Sequence, residues 1–201
     1  MNARQQILTF KVQLRDIKPA IWRRIEVPAS YTFWDLHVAI QDAMGWLDSH
    51  LHAFQVRDPR TRAEATIGIP DPDPFEGAPD FLPGWRVHVT AYLAEVGQRA
   101  RYDYDFGDGW EHDLLLEQIG MRQAKAKYPR CVAGARACPP EDCGGPGGYA
   151  QLLKTIANPA DPEHQSMLKW LGGPFAANAF DAHEVHFDNP KKRWQVAFAE
   201  G

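Results

Sequence analysis

Residues 8–14 alternate strictly: Leu8, Phe10, Val12 and Leu14 point one way and Thr9, Lys11 and Gln13 the other. That period of two predicts a half-buried strand. Lys18-Pro19 marks a turn, and residues 21–27 repeat the pattern with Ile21, Ile25 and Val27 on one face. The two segments therefore read as a hairpin. The period then changes. Phe33, Leu36, His37, Ile40 and Met44 recur at helical spacing. Thr32 stands where a helix is capped, Asp35 lies near the positive end of the helix dipole, and Gly45 supplies the stop. Residues 50–57 read as a third strand. Strand, strand, helix, strand describes a compact α+β unit whose helix covers one face of a sheet.

Residues 58–84 break every period. Pro59, Pro70, Pro72, Pro74, Pro79 and Pro83 are interspersed with Asp58, Glu64, Asp71, Asp73, Glu76 and Asp80. A long acidic, proline-rich loop is expected, either a solvated insertion or a lid over a site. Residues 86–96 fit helix and strand equally. A second antiparallel hairpin occupies residues 100–119. Tyr149, Leu152, Leu153 and Ile156 then predict a helix over 147–157, stopped at Asn158-Pro159. Asp161-Pro162 opens another that ends at Gly172-Gly173, and Asn189-Pro190 opens a last one carrying Trp194 and Phe198. The expectation is one α+β domain over residues 1–201, with the second hairpin in the sheet and helices at the C-terminal end.

The second hairpin contains the densest set of reactive side chains, in "YDFGDGWEH" at 104–112. A three-residue loop, Gly107-Asp108-Gly109, sets Phe106 opposite Trp110 and Tyr104 opposite His112. It keeps the apolar face together and gives Gly109 the left-handed position such loops need. His112 then falls on the apolar face, as a core histidine. Asp105 falls opposite Glu111 and Asp103 opposite Asp113. Like charges facing one another in a sheet are unfavourable, so this face needs a cation, an arginine, a basic partner or full solvent screening. Asp103, Asp105, Asp108, Glu111 and Asp113 are thus the candidate catalytic carboxylates, since paired carboxylates raise one another's pKa. The tripeptide Asp105-Phe106-Gly107 matches a metal-binding motif of protein kinases. No glycine-rich loop, lysine strand or catalytic-loop motif accompanies it here.

Three cysteines follow in "CVAGARACPPEDCGGPGGY". Cys131, Cys138 and Cys143, with His112 or His164 as fourth ligand, form a candidate zinc site, although only the Cys138–Cys143 gap has the usual tight spacing. The bland alternative is three reduced thiols packing an irregular loop. The glycines before the 147–157 helix lack the lysine of a phosphate loop and read as a tight turn. His50 and His52, two apart, suit a metal, and suit burial beside Phe54 and Val56 equally. His37 sits on the apolar stripe of its helix. Arg122, Lys125, Lys127, Arg130 and Arg136 fall in a stretch without an acidic side chain, so they are the candidate contacts to nucleic acid or an acidic protein surface. Lys191, Lys192 and Arg193 form a second basic cluster.

Composition narrows the classes. The chain has 201 residues, is 44% hydrophobic and carries a net charge of −4. It can bury a core, and it is not the basic chain expected of a non-specific DNA binder. An odd cysteine count and an N-terminus without an apolar core fit a reduced, cytoplasmic setting. No apolar run approaches the ~20 residues of a membrane span.

"IWRRIEVP", "GWLDSHLHAF", "YDYDFGDGWEHDLLLE" and "CPPEDCGGPGGY" occur in that order. Together they resemble the plasmid ORF-3-like family, first described from a root-inducing plasmid. Similar proteins also carry the description of insertion-element passenger, resolvase-like proteins. The resemblance implies an α+β domain with no established activity. Ser30, Ser49 and Ser166 lack the arginine setting of a recombinase nucleophile, and "FDAHEVHFD" stands where the family often has a proline-bearing motif. The reading leans to a non-enzymatic binding or accessory module, associated through the resemblance with mobile DNA. The alternative is a metal-dependent, nuclease-like hydrolase using the carboxylate face of the 100–119 hairpin.

Overall fold

The computed structural model describes residues 5–73 and 80–198. Strands β1 (Gln6–Leu14) and β2 (Trp22–Pro28) pair antiparallel around the Lys18-Pro19 turn. Helix α1 (Phe33–Met44) follows. The Thr32 hydroxyl accepts from Asp35 N at 3.2 Å and the Asp35 carboxylate accepts from Thr32 N at 2.9 Å. This reciprocal cap satisfies two otherwise orphaned donors, a device worth ~1 kcal/mol. Gly45, at φ 90°, ends the helix by donating to Gln41 O.

Strand β3 (His52–Arg57) begins two residues later than its pattern implies. The proline-rich segment contributes β4 (Glu64–Gly68) and β5 (Phe81–Pro83) to the sheet edge; residues 74–79, with Pro74, Glu76 and Pro79, lie outside the described residues. The expected long loop is thus partly strand. Ala65 and Ile67 alternate with Glu64 and Thr66, a short period hidden among the breakers. The ambiguous 86–96 stretch contains only a 3-10 turn at Val89–Ala91. Strands β6 (Arg99–Tyr104), β7 (Trp110–Met121) and β8 (Arg130–Ala135) complete an eight-stranded sheet of order β5-β4-β3-β6-β7-β1-β2-β8.

One face of the sheet packs on α1. Phe10, Val12, Ile25, Phe54, Tyr102, Trp110 and Leu114 meet Phe33, Leu36 and Ile40 in a continuous buried core. Helix α2 (Gly145–Ala157) extends this layer through Tyr149 and Leu152, and α3 (His164–Trp170) joins it through Met167. Helix α4 (Pro190–Ala197), capped by Asn189, returns to α1. There Trp34 donates to Pro190 O at 3.0 Å, and Trp194 meets the Trp34 ring edge-on.

The 100–119 hairpin is present, but its register differs from the expected one. Tyr104 faces Trp110, Tyr102 faces His112 and Asp103 faces Glu111. The connection is five residues, 105–109, not three. Asp105 has left the strand: its φ is 54°, and its Oδ1 accepts from Gly107 N and Asp108 N. A side chain that caps its own loop competes with the ladder. The change in pairing is two positions, so the inward face of Tyr102, Tyr104, Trp110 and His112 is unaltered. Phe106 is the casualty, 53% exposed at the loop tip.

Candidate functional site

The outward carboxylates of the hairpin are met by arginines. Arg15 Nη1 donates to Glu111 Oε2 at 2.7 Å, and Arg15 Nε lies 3.8 Å from Asp113. Arg101 Nε approaches Asp103 Oδ1 at 3.0 Å, too poorly aligned for a hydrogen bond, and its Nη1 is 3.7 Å from Glu111. Gln55 Nε2 donates to Asp103 Oδ2 at 2.9 Å. Burial pushes the Asp103 carboxyl up from its ordinary value, opposed by Arg101. The like-charge pair Asp103–Glu111 is thus bridged within the sheet, and the five candidate carboxylates do not converge. Asp108 serves the loop, its Oδ2 accepting from Gly144 N at 3.0 Å.

Two groups of described residues bring three ligand-type atoms within 4.8 Å of one another: His37, Asp48 and His52, and His50, Asp105 and Asp142. The first belongs to a polar relay in which, among the described residues, Gln41 Oε1 and His52 Nδ1 are sealed without a partner. Tyr102 OH accepts from Gln41 Nε2 and donates to His37 Nδ1, each at 2.8 Å. His37 Nε2 donates to Asp48 Oδ1 at 2.8 Å, and Arg193 reaches the other Asp48 oxygen at 3.5 Å. Each group has one consistent donor or acceptor role, and together they set the His37 tautomer. Burial holds the His37 imidazole down to about 3 and that of His52 well below its ordinary range. The two rings stack 3.4 Å apart at 9°. Parallel rings direct their lone pairs along parallel planes, so a metal ~2.1 Å from both nitrogens would lie out of both planes. This group is therefore a core network.

The second group is more open. Asp105 is 7% exposed; its Oδ2 lies 3.6 Å from His50 Nε2, which in turn lies 3.0 Å from Asp142 Oδ1. His50 Nε2 is sealed from solvent yet makes no aligned hydrogen bond. Asp105 and Asp142 both adopt left-handed backbone, at φ 54° and 58°. His50 and His52 do not work as a pair: His50 precedes the strand and joins the hairpin tip, while His52 enters the core.

Neither group contains a cysteine. All three thiols are free, and burial pushes each up, that of Cys143 to about 12. His164 Nδ1 is 3.1 Å from Thr155 O and His112 Nδ1 3.2 Å from Tyr102 O, so one nitrogen of each ring is engaged by backbone, while His112 Nε2 is sealed without a partner among the described residues. Burial lowers His112 to about 4.

The basic residues divide. Arg122, Lys125 and Lys127 are exposed on the 122–129 connection and, among the described residues, have no carboxylate within 4.0 Å. Arg130 is tied to Glu26 at 2.6 Å. Arg122 and Arg130 each stand 5.0 Å from the Tyr128 ring. Arg136 is half-buried, with its Nε sealed and without a hydrogen bond. Among the described residues, no helix is long and apolar enough to cross a membrane.

A mixed sheet covered on one face by helices, with an arginine-bridged outer face, defines an α+β protein of the type solved as the protein of unknown function MM3350 from Methanosarcina mazei Go1. That structure matches with a TM-score of 0.81 and 38% identity, over 91% of this chain and 99% of that one. The chain belongs to the plasmid pRiA4b ORF-3-like protein family, whose model matches residues 6–184. It is also 33% identical to the uncharacterized protein y4hQ of Sinorhizobium fredii, over 92% of this chain and 89% of that one.

Proposed function

We propose that the protein is a non-catalytic binding module that engages the phosphate backbone of nucleic acid through the 122–129 connection. The carrying observation is the set Arg122, Lys125 and Lys127, exposed and without carboxylate partners among the described residues. Tyr128 between two arginines adds an aromatic surface of the kind on which bases stack. Arg130 supports this surface through Tyr128 and Gln123, whereas Arg136, past the far end of β8, is no part of it. A place in mobile-DNA biology rests on the family's plasmid origin and is part of the same proposal. The test is fluorescence anisotropy with labelled single- and double-stranded oligonucleotides at low salt. The parent should bind, and the triple change of Arg122, Lys125 and Lys127 to Ala should abolish binding. Equal binding by both, or binding to polyglutamate alone, contradicts the assignment.

A second reading rests on His50 Nε2, which faces Asp105 and Asp142 without a hydrogen bond. One imidazole and two carboxylates can hold a divalent cation and leave positions for water. Zinc or manganese titration should then give saturable binding that His50→Ala removes, independently of the cysteines. Uptake lost in Cys143→Ser instead would restore the cysteine site.

A further inference from the structure

We propose that the cleft at Arg23 binds the carboxylate or phosphate group of a small ligand. Arg23 is only 2% exposed, although a charge is costly to bury without a counter-ion. Its Nε donates to Ala43 O at 2.8 Å, and its Nη1 donates to Trp22 O at 2.9 Å and Ala135 O at 3.1 Å. Those bonds use three of its five N–H groups, leaving the two on Nη2. Among the described residues, Nη2 has no hydrogen-bond partner and is not sealed from solvent, and no carboxylate lies within 4.0 Å of Arg23. The neighbouring thiols of Cys131 and Cys138 are held neutral by burial and supply no counter-charge.

The cleft is built around this group. It is an open cleft of about 960 Å³ between the end of α1 and residues 178–188. The Phe180 ring covers the flat face of the guanidinium at 3.8 Å. The ring also rests on Gly134, the cross-strand partner of Arg23, where a Cβ would stand 2.3 Å from it. Phe180 therefore holds the plane of the fork, while Nη2 keeps a small solvent contact and no partner among the described residues. Two of the other lining carboxylates, Asp42 and Asp188, are engaged by Arg193. Asp181 and Glu184 are exposed at the mouth, where salt screens their repulsion of an anion only in part. The segments "IWRRIEVP" and "FDAHEVHFD", 21–28 and 180–188, thus meet in one cleft.

The experiment is a ¹H–¹⁵N NMR titration of the full chain with sodium acetate and, separately, inorganic phosphate, with chloride holding ionic strength constant. Saturable shifts are expected at Ala43, Ala135, Phe180 and the Trp46 indole. Saturation by acetate alone marks an organic carboxylate, by phosphate alone a phosphate ester, and by both their shared chemistry. Arg23→Gln should weaken binding at least about tenfold, the equivalent of ~1.4 kcal/mol. Glu184→Gln, at the mouth and outside the Arg23 bonds, should tighten binding whether or not Arg23→Gln folds. Shifts no larger than those with chloride, or an affinity indifferent to Glu184→Gln, overturn the proposal.

Discussion

The imidazole of His37 lies flat on that of His52, ring centroids 3.4 Å apart and planes within 9°. Two protonated rings could not occupy that geometry, and burial keeps both neutral. His112, about 4, is a third buried neutral imidazole. In the unfolded chain all three titrate near ~6.5. Their folded values are depressed, so the unfolded state binds more protons below that pH. Stability is present above pH ~6.5 and is lost as pH falls toward the folded values. Asp42 and Asp48, raised by burial, act in the opposite sense, but only nearer the carboxylate range. Urea unfolding should show a loss of roughly 2–6 kcal/mol between pH 7 and pH 5. A flat profile over that window would mean that these rings are not buried and neutral.

Arg193 fastens α4 to the body of the protein. Its guanidinium lies 2.7 Å from Asp42, 3.5 Å from Asp48 and 2.6 Å from Asp188. Removing it leaves Asp42 and Asp48 buried without their cation. Arg193→Met should cost about 2–4 kcal/mol. It should also alter tryptophan fluorescence, because Trp194 packs on Trp34 and Trp85. A variant with parental stability and emission would show that the aromatic contacts alone hold the helix.

The hairpin tip and the start of α2 touch with no room to spare. A Cβ at Gly145 would stand 2.1 Å from Asp108 O, and Gly145 has φ 66°. Gly145→Ala combines a backbone clash with a left-handed conformation that alanine resists. Thermal melts should show it destabilised by about 1–3 kcal/mol. Gly147→Ala, where nothing lies within 4 Å, is the control and should melt close to the parent.

Much of the scaffold was legible because it obeys simple periods. The alternation around Phe10 and the Thr32–Asp35 cap predicted β1 and α1 closely, and the Asn189-Pro190 start of α4 was marked by its own residues. Strand β4 was obscured because prolines and acids on both sides outweigh a five-residue period. The hairpin register hinged on Asp105, whose side chain can stay in the ladder or cap the loop, and local pattern does not rank those outcomes. The candidate sites were the least legible part. His50 meets Asp142, and Arg23 meets Phe180, across separations for which sequence offers no spacing rule. Of the like-charge pairs expected across the hairpin, Asp105–Glu111 and Asp103–Asp113, neither forms; the shifted register sets Asp103 opposite Glu111 instead. Arg101, two residues before Asp103, bridges that pair, and Arg15 from a different hairpin joins it at Glu111 through the sheet order.

Nucleic-acid binding through Arg122, Lys125 and Lys127, as proposed above, makes the affinity fall steeply with salt, and that dependence is the measurement to make. For a single-stranded oligonucleotide, neutralising three phosphates predicts a slope of log K against log salt near ~−2, from about −0.7 per contact. Lys127→Ala should reduce that slope by roughly one contact while leaving the fold intact, since Lys127 is exposed. A slope near zero, or one unchanged when Arg122, Lys125 and Lys127 are all replaced, would contradict the account.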